Sequence, residues 1–387
     1  MMNYFSDDSK YIANTYKRFG LVLTHGKGTK VYDADNKEYI DMASGIAVNT
    51  FGIADEKWIS AVEEQLGKIQ HASNLYYTEP QIKLSKLLCE KAGMKKVFFS
   101  NSGAEANECA IKTARKYADM KNPDKKVILT LVNSFHGRTV TTLTATGQDK
   151  MHVSFGPFTD GFRYIPANDI EAFKTEIAKG DVCAVMFELV QGEGGVLPLD
   201  KAYVDELVKI ARENDILVVV DEVQTGNGRT GAMYCYMNYG FTPDIVSTAK
   251  GLGGGLPIGA TMFSEKTENV LTFGDHGSTY GGNPICAAGA VSIVERLDDE
   301  LFAEVQKKGE YLKEKISSFE GVKSVSGMGL MMGIETEKPA ADCIRECMEN
   351  GLLVISAKEK VRLLPALNIS WEDIDKALEI MKNAFKN

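Results

Sequence analysis

ILVVVDEVQ, residues 216–224, sets a carboxylate at the end of five successive aliphatic side chains. A run that is β-branched-rich and apolar on consecutive residues reads as a strand buried on both faces of a largely parallel sheet. Comparable runs recur at 97–99, 127–132, 183–187, 245–246 and 258–263. Helical stripes lie between them: Ala106, Ala110, Ile111, Ala114 and Ala118 in a helix opening near Ala104, and Tyr203, Val204, Leu207, Val208 and Ala211 in another opening near Asp200. Strands alternating with helices predict an α/β fold with a mostly parallel central sheet. Ligands of such sheets bind at the carboxyl ends of the strands, so the residues that follow each run are the first candidates for chemistry.

Both chain ends depart from this rhythm. VYDADNKEYIDM, residues 31–42, carries an Asp-Asn-Lys turn between two short extended runs, a hairpin signal. Beyond residue 290, helical stretches around 287–296 and 303–319 give way to VKSVSGMGLMMGIE, residues 322–335, which reads as strand, glycine-containing turn, strand. The expected division is an N-terminal segment 1–54 that packs with the small domain, a large domain 55–290 and a smaller α+β domain 291–387. The 387 residues suit two or three domains at ~150 residues each. A net charge of −9 argues against a general nucleic-acid-binding surface. Seven scattered cysteines do not read as a secreted disulfide scaffold. No apolar run reaches the ~18 residues of a membrane span, and the first residues lack the apolar core of a secretory signal. The expectation is a cytoplasmic protein without nucleic-acid or membrane partners.

After residues 97–99 comes Ser100-Asn101-Ser102-Gly103-Ala104-Glu105. Small residues at a helix opening let backbone N–H groups approach an anion such as phosphate. The plainer reading is a capping box with Ser102 as cap and Glu105 three residues on, and both readings can hold together. Asp221 closes its apolar strand, where a carboxylate is costly unless it meets a cation or donors. It suits a protonated ring nitrogen, or else caps a nearby helix. Lys250 closes another strand and precedes a loop with four glycines in 251–255. A desolvated lysine becomes an amine nucleophile able to form Schiff bases, whereas a solvated lysine beside a flexible loop is the ordinary alternative. Gly226-Asn227-Gly228-Arg229-Thr230-Gly231 matches G-x-G-x-x-G, yet it stands off from the strand and no helical pattern starts at its end, so a dinucleotide site is discounted. A phosphate cradle, a partner for a ring nitrogen and a lysine amine are together what pyridoxal phosphate requires. The five histidines and the pair Cys343 and Cys347 show no metal spacing, and no metal is expected.

On these residues the chain resembles the class-III pyridoxal-phosphate aminotransferases, almost end to end. The stretches that carry the resemblance are GIAVNTFG, HASNLYYTEPQ, NSGAEANECAIKTARK, SFHGRT, QGEGGV, DEVQTGNGRTG, AKGLGGGLPIGA and GSTYGGNP, in the family's order. HASNLYYTEPQ and FRYIPAND tilt the resemblance toward the branch acting on acetylornithine. It implies a fold-type-I enzyme in which Lys250 holds the cofactor and moves the proton during transamination. Asp221 would pair with the pyridinium nitrogen and Gln224 with the phenolic oxygen, Phe135 would stack on the ring, and Ser102, Gly103 and Ala104 would bind the phosphate. Thr279 would reach the phosphate of the neighbouring subunit's cofactor, making a homodimer. Arg138 and Arg362 match two carboxylate-binding positions, since arginine takes carboxylates bidentately. Glu193 resembles a switch residue that neutralises Arg362 when no substrate carboxylate does, and Tyr16 and Ser278 would line the same pocket. Without the resemblance, Arg138 and Arg362 would read as interdomain salt bridges.

The reaction so implied moves the δ-amine of N2-acetyl-L-ornithine to 2-oxoglutarate, a step of arginine biosynthesis. Ornithine, succinylornithine, 4-aminobutyrate and acetyl-lysine are alternative donors within the family. An NAD-dependent oxidoreductase resting on GNGRTG and a catalytically silent binding protein are the rivals from other classes. Two stretches depart from the family: Gly52-Ile53-Ala54-Asp55-Glu56 stands where Gly-His-x-His-Pro is common, and Glu188-Leu189-Val190 where Glu-Pro is usual.

Overall fold

A computed structural model describes residues 4–386. Its centre is a seven-stranded sheet: β1 (Lys96–Ser100), β2 (Val127–Leu131), β3 (Phe162–Ile165), β4 (Val182–Phe187), β5 (Leu217–Asp221), β6 (Ile245–Thr248) and β7 (Gly259–Phe263), in the spatial order β1-β7-β6-β5-β4-β2-β3. Along β5 the side chains divide between two cores. Leu217 and Val219 pack with helix Gly103–Lys121 on one face, and Val218 and Val220 enter the larger core on the other. That two-sided burial is why the strand is apolar on every residue.

Two features of the sheet differ from the sequence reading. β7 runs antiparallel to both neighbours. Only residues 249–258 join it to β6, too few for the crossover a parallel pairing demands. β3, FRYI, carries no continuous apolar run because it is an edge strand. Its Arg163 turns outward to ion pairs with Glu176 and Asp181, each at 2.6 Å. The helices stand close to where the periodicity puts them, at Gly103–Lys121, Lys201–Glu213, Pro284–Val294 and Asp299–Ser317.

The chain ends come together. The N-terminal strands Leu23–Lys27, Lys30–Asp33 and Glu38–Asp41 form a meander, and Leu352–Leu353 adds to its edge in parallel. A second sheet joins Val322–Met328, Met331–Thr336, Lys360–Leu363 and Ile355–Ala357, with helices Ala340–Glu349 and Trp371–Ala384 beside it. Cys343 and Cys347 are wholly buried on the inner face of the first of these helices. In the atypical 52–56 stretch, Asp55 accepts from the Trp58 N–H at 2.9 Å, capping helix Glu56–Leu66, and pairs with Arg296 at 2.8 Å. That stretch therefore serves helix initiation. Among the described residues no helix is long and apolar enough to cross a membrane.

Candidate active site

The site forms where β1, β5 and β6 end. Asp221, almost fully buried, closes β5. Its Oδ2 accepts from Asn107 Nδ2 at 2.7 Å and from His136 Nδ1 at 2.8 Å, and its Oδ1 accepts from the Val223 N–H at 2.9 Å. These donors offset the cost of burying a carboxylate, which is several kcal/mol when it stands alone. Asn107 also donates to the His136 carbonyl at 2.8 Å, so helix Gly103–Lys121 and the loop after β2 orient the carboxylate together. Asp221 thus caps no helix. Neither Asn107 nor His136 stood out in the sequence. The one signal was an asparagine inside an alanine stripe, a buried polar group in need of a partner.

A cavity of about 440 Å³ opens above this carboxylate, lined among others by Ser102, Gly103, Phe135, Asp221, Gln224 and Lys250. Lys250 follows β6 in a tight turn and adopts a left-handed φ of 46°, a conformation that costs a non-glycine residue energy and persists where surroundings enforce it. Burial pulls its ammonium below the ordinary lysine range, opposed by the Glu193 and Asp221 carboxylates. At the end of β1, Ser102 Oγ accepts from the Glu105 N–H at 3.2 Å. The reciprocal half of the expected capping box is displaced by one residue: Glu105 accepts from the Asn101 N–H at 2.5 Å, not from Ser102. The N–H groups of Gly103 and Ala104 belong to the first turn and have no partner within the helix, so they are available to an anion in the cavity. Gly103 is required by close packing, since a Cβ there would lie 2.6 Å from Val223 Cγ1.

Beside the cavity, Arg362 is buried on strand Lys360–Leu363, and its Nη1 donates to Glu193 Oε1 at 2.5 Å and to Gln224 Oε1 at 3.1 Å. Desolvation works to raise the Glu193 pKa, but Arg362, with smaller help from Lys250 and Gln224, holds the carboxyl below its usual range. Gln224, expected only at the cofactor, also donates to Glu193 at 3.4 Å and so joins the ion pair to the cavity wall. Arg138 is exposed at the rim, its guanidinium 5.4 Å from the centre of the Phe135 ring. In the second atypical stretch, Glu188 accepts from the N–H groups of Phe135 at 2.9 Å and Gly192 at 3.2 Å, tying the loop of the aromatic ring to the loop of Glu193. Burial lifts this carboxyl above its ordinary range.

A poised amine, a carboxylate fixed by two side-chain donors, an anion-accepting helix opening and a flanking aromatic ring converge on one cavity. That donor set fits a flat, phosphate-bearing aldehyde cofactor. The sequence model of the family described as aminotransferase class-III matches residues 11–385. The chain belongs to the class-III aminotransferases. It is 49% identical to the acetylornithine aminotransferase of Haemophilus ducreyi, over 97% of this chain and 96% of that one. Its fold is similar to N-acetylornithine aminotransferase from Stenotrophomonas maltophilia K279a, with a TM-score of 0.85 and 35% identity over 98% of each chain. It is similar also to ornithine aminotransferase from Toxoplasma gondii, with a TM-score of 0.94 and 30% identity over 99% of this chain and 93% of that one, in a structure with partial occupancy of PLP at the active site.

As a class-III aminotransferase the chain is a fold-type-I, pyridoxal-phosphate-dependent enzyme, and the nicotinamide alternative falls. Five expected residues do not line the cavity of their own chain: Arg362 and Glu193 stand beside it, joined to its wall through Gln224, and Tyr16, Ser278 and Thr279 lie outside it. Tyr16 is 76% exposed in a segment without helix or strand, where it lies against Arg18. Ser278 Oγ is engaged by Asn101 Nδ2 at 3.2 Å and by the Gly281 N–H at 2.9 Å. Thr279 is exposed beside it.

Proposed function

We propose that this class-III aminotransferase moves the δ-amine of N2-acetyl-L-ornithine to 2-oxoglutarate, giving N-acetyl-L-glutamate 5-semialdehyde and L-glutamate for arginine biosynthesis. The observation that carries this reading is the Arg362–Glu193 pair next to Lys250. A donor that reacts through its distal amine brings no carboxylate near the reacting carbon, so Arg362 needs an internal counter-ion while it is bound. 2-Oxoglutarate brings a carboxylate directly beside its reacting carbon, and Glu193 yields Arg362 to it. The exposed Arg138 takes the carboxylate at the far end of either substrate.

Pyridoxal phosphate, when bound, supplies the aldehyde that exchanges amines and the ring that accepts the electron pair. Asp221 is the partner of its ring nitrogen, Ser102, Gly103 and Ala104 hold its phosphate, Phe135 covers its face and Gln224 meets its phenolic oxygen. Lys250 Nζ removes the proton from the amine-bearing carbon of the donor and later delivers one to the oxo carbon of the acceptor. Its lowered proton affinity leaves more of it in the basic form that does this near neutral pH.

The working unit is a homodimer in the cytoplasm. Leu75, Tyr76, Tyr77 and Tyr280 are exposed apolar side chains in neighbouring segments, joined where Asn74 Nδ2 donates to the carbonyls of Ser278 and Gly281 at 3.0 Å. A second copy seated on this patch would cover them and bring Thr279 to its partner's cofactor. The seven cysteines are all free thiols, as suits a reducing compartment. The test of substrate is kcat/KM measured side by side for acetylornithine, ornithine, succinylornithine, 4-aminobutyrate and acetyl-lysine. A value for another donor at or above that for acetylornithine refutes the assignment.

A further inference from the structure

GNGRTG, residues 226–231, lines no part of the cavity, yet its side chains reach in two directions. Asn227 Nδ2 donates to Thr248 Oγ1 at 2.9 Å and to the Ala249 carbonyl at 3.2 Å, gripping the chain immediately before Lys250. Arg229 reaches the opposite way. It is buried, and its Nη1 donates to the carbonyls of Leu330 at 3.0 Å and Pro365 at 2.5 Å, while its own carbonyl accepts from the Leu330 N–H at 3.0 Å. These two carbonyls have a defined relation. Strands Met331–Thr336 and Lys360–Leu363 pair with Met332 opposite Leu363 and Gly333 opposite Arg362. Continued past the end of the ladder, the same register sets Leu330 opposite Pro365. One guanidinium nitrogen bridges the two strands at that end, and the strand pair it grips carries Arg362.

The loop is fitted closely to this task. Gly228 has a φ of +88°, and a Cβ there would lie 2.7 Å from Leu367 Cδ1. Gln306 Nε2 donates to the Gly231 carbonyl at 2.8 Å, adding a third contact from the small domain. Among the described residues no carboxylate pairs with Arg229, and burial alone lowers its proton affinity. A buried charge without a counter-ion is a poor device for stability, and an apolar side chain of similar volume would fill the space at less cost. What an apolar side chain lacks is a planar fork that holds two acceptors in fixed geometry.

We infer that Arg229 is a positioning residue that sets the Arg362 strand against the Lys250 turn, so that the carboxylate of the oxo-acid acceptor is held in register with the reacting amine. The inference rests on the proposed function in taking Arg362 as the acceptor's carboxylate site. The test compares holoenzyme of wild type, Arg229→Met and Arg229→Lys. Calorimetry gives the affinity for glutarate, an unreactive five-carbon dicarboxylate, and single-turnover absorbance follows each half-reaction separately. Arg229→Met is expected to bind glutarate roughly 10-fold more weakly and to need roughly 10-fold more 2-oxoglutarate, with the acetylornithine half-reaction within about 2-fold of wild type. Arg229→Lys, which restores a charged donor, recovers most of the loss. Unchanged glutarate affinity, or equal loss in both half-reactions, overturns the inference. If Arg229→Met does not fold, Arg229→Lys and Gln306→Ala carry the comparison: a loss confined to the dicarboxylate supports it, and any other pattern overturns it. Should wild type fail to turn over acetylornithine, the donor assignment falls, while the glutarate affinities still decide the role of Arg229.

Discussion

Glu193→Gln removes the charge that faces Arg362 and keeps the shape of the side chain. In the wild type the guanidinium Nη1 lies 2.5 Å from Glu193 and 3.1 Å from Gln224. The Arg362 side chain is 3% exposed and that of Glu193 29%. Two unit charges ~4 Å apart attract by about 4 kcal/mol at an effective dielectric of 20. Partial exposure of Glu193 and the second acceptor on Gln224 reduce the charge-dependent part to about 1–2 kcal/mol. A carboxylate of 2-oxoglutarate must displace Glu193 before it reaches Arg362, so this amount is withheld from acceptor binding in the wild type. Without the charge, KM for 2-oxoglutarate is expected to fall about 10-fold. The donor half-reaction should lose a similar factor in kcat/KM, because an uncompensated guanidinium then stands beside the reacting amine of acetylornithine. The two half-reactions, followed separately by the absorbance of the bound cofactor, give both numbers. An unchanged or higher KM for 2-oxoglutarate in a variant that binds cofactor normally refutes the displacement mechanism.

Further outcomes can be checked directly. Lys250→Ala should lose the borohydride-stable attachment of the cofactor, read by intact mass, and at least about 10²–10⁴-fold in turnover; attachment at any other lysine would count against Lys250. Burial lifts the Glu222 carboxyl from 4.5 to about 7, so the folded protein holds an extra proton between those values, and stability falls as the pH rises through that window. Glu222→Gln should therefore shrink the drop in Tm between pH 5 and pH 8 by a few degrees, and an identical drop in both proteins would refute the assignment. Tyr77, 95% exposed, and Tyr280, 63% exposed, lie on the face proposed to join two copies. Tyr77→Asp with Tyr280→Asp is expected to scatter light at the mass of one chain and to be inactive; an active monomer would remove Thr279 from the site.

The strand ends were legible because they are local. An apolar run, the residue that closes it and a small-residue helix opening each occupy a few consecutive positions, and this alone brought out Asp221, Lys250 and Ser102. β3 escaped for an equally local reason, since an edge strand whose Arg163 faces two carboxylates has no apolar run to read. Asn107 and His136 escaped for a different one. His136 is unremarkable among its sequence neighbours and Asn107 shows only as a polar residue inside an alanine stripe; the meaning of each lies in a shared contact with Asp221, which is distant from both in the chain.

By itself, then, the sequence determined the layered α/β architecture and the chemical types offered at the strand ends, because burial on two faces imposes a pattern on consecutive residues. Which of those groups meet was decided only by the packed chain. Gln224 bridges the cavity to Arg362, Glu188 joins two loops, and Arg229 spans two carbonyls that sheet register sets opposite each other. These encounters depend on how segments far apart in the chain pack against one another. No periodicity along the chain records that distance.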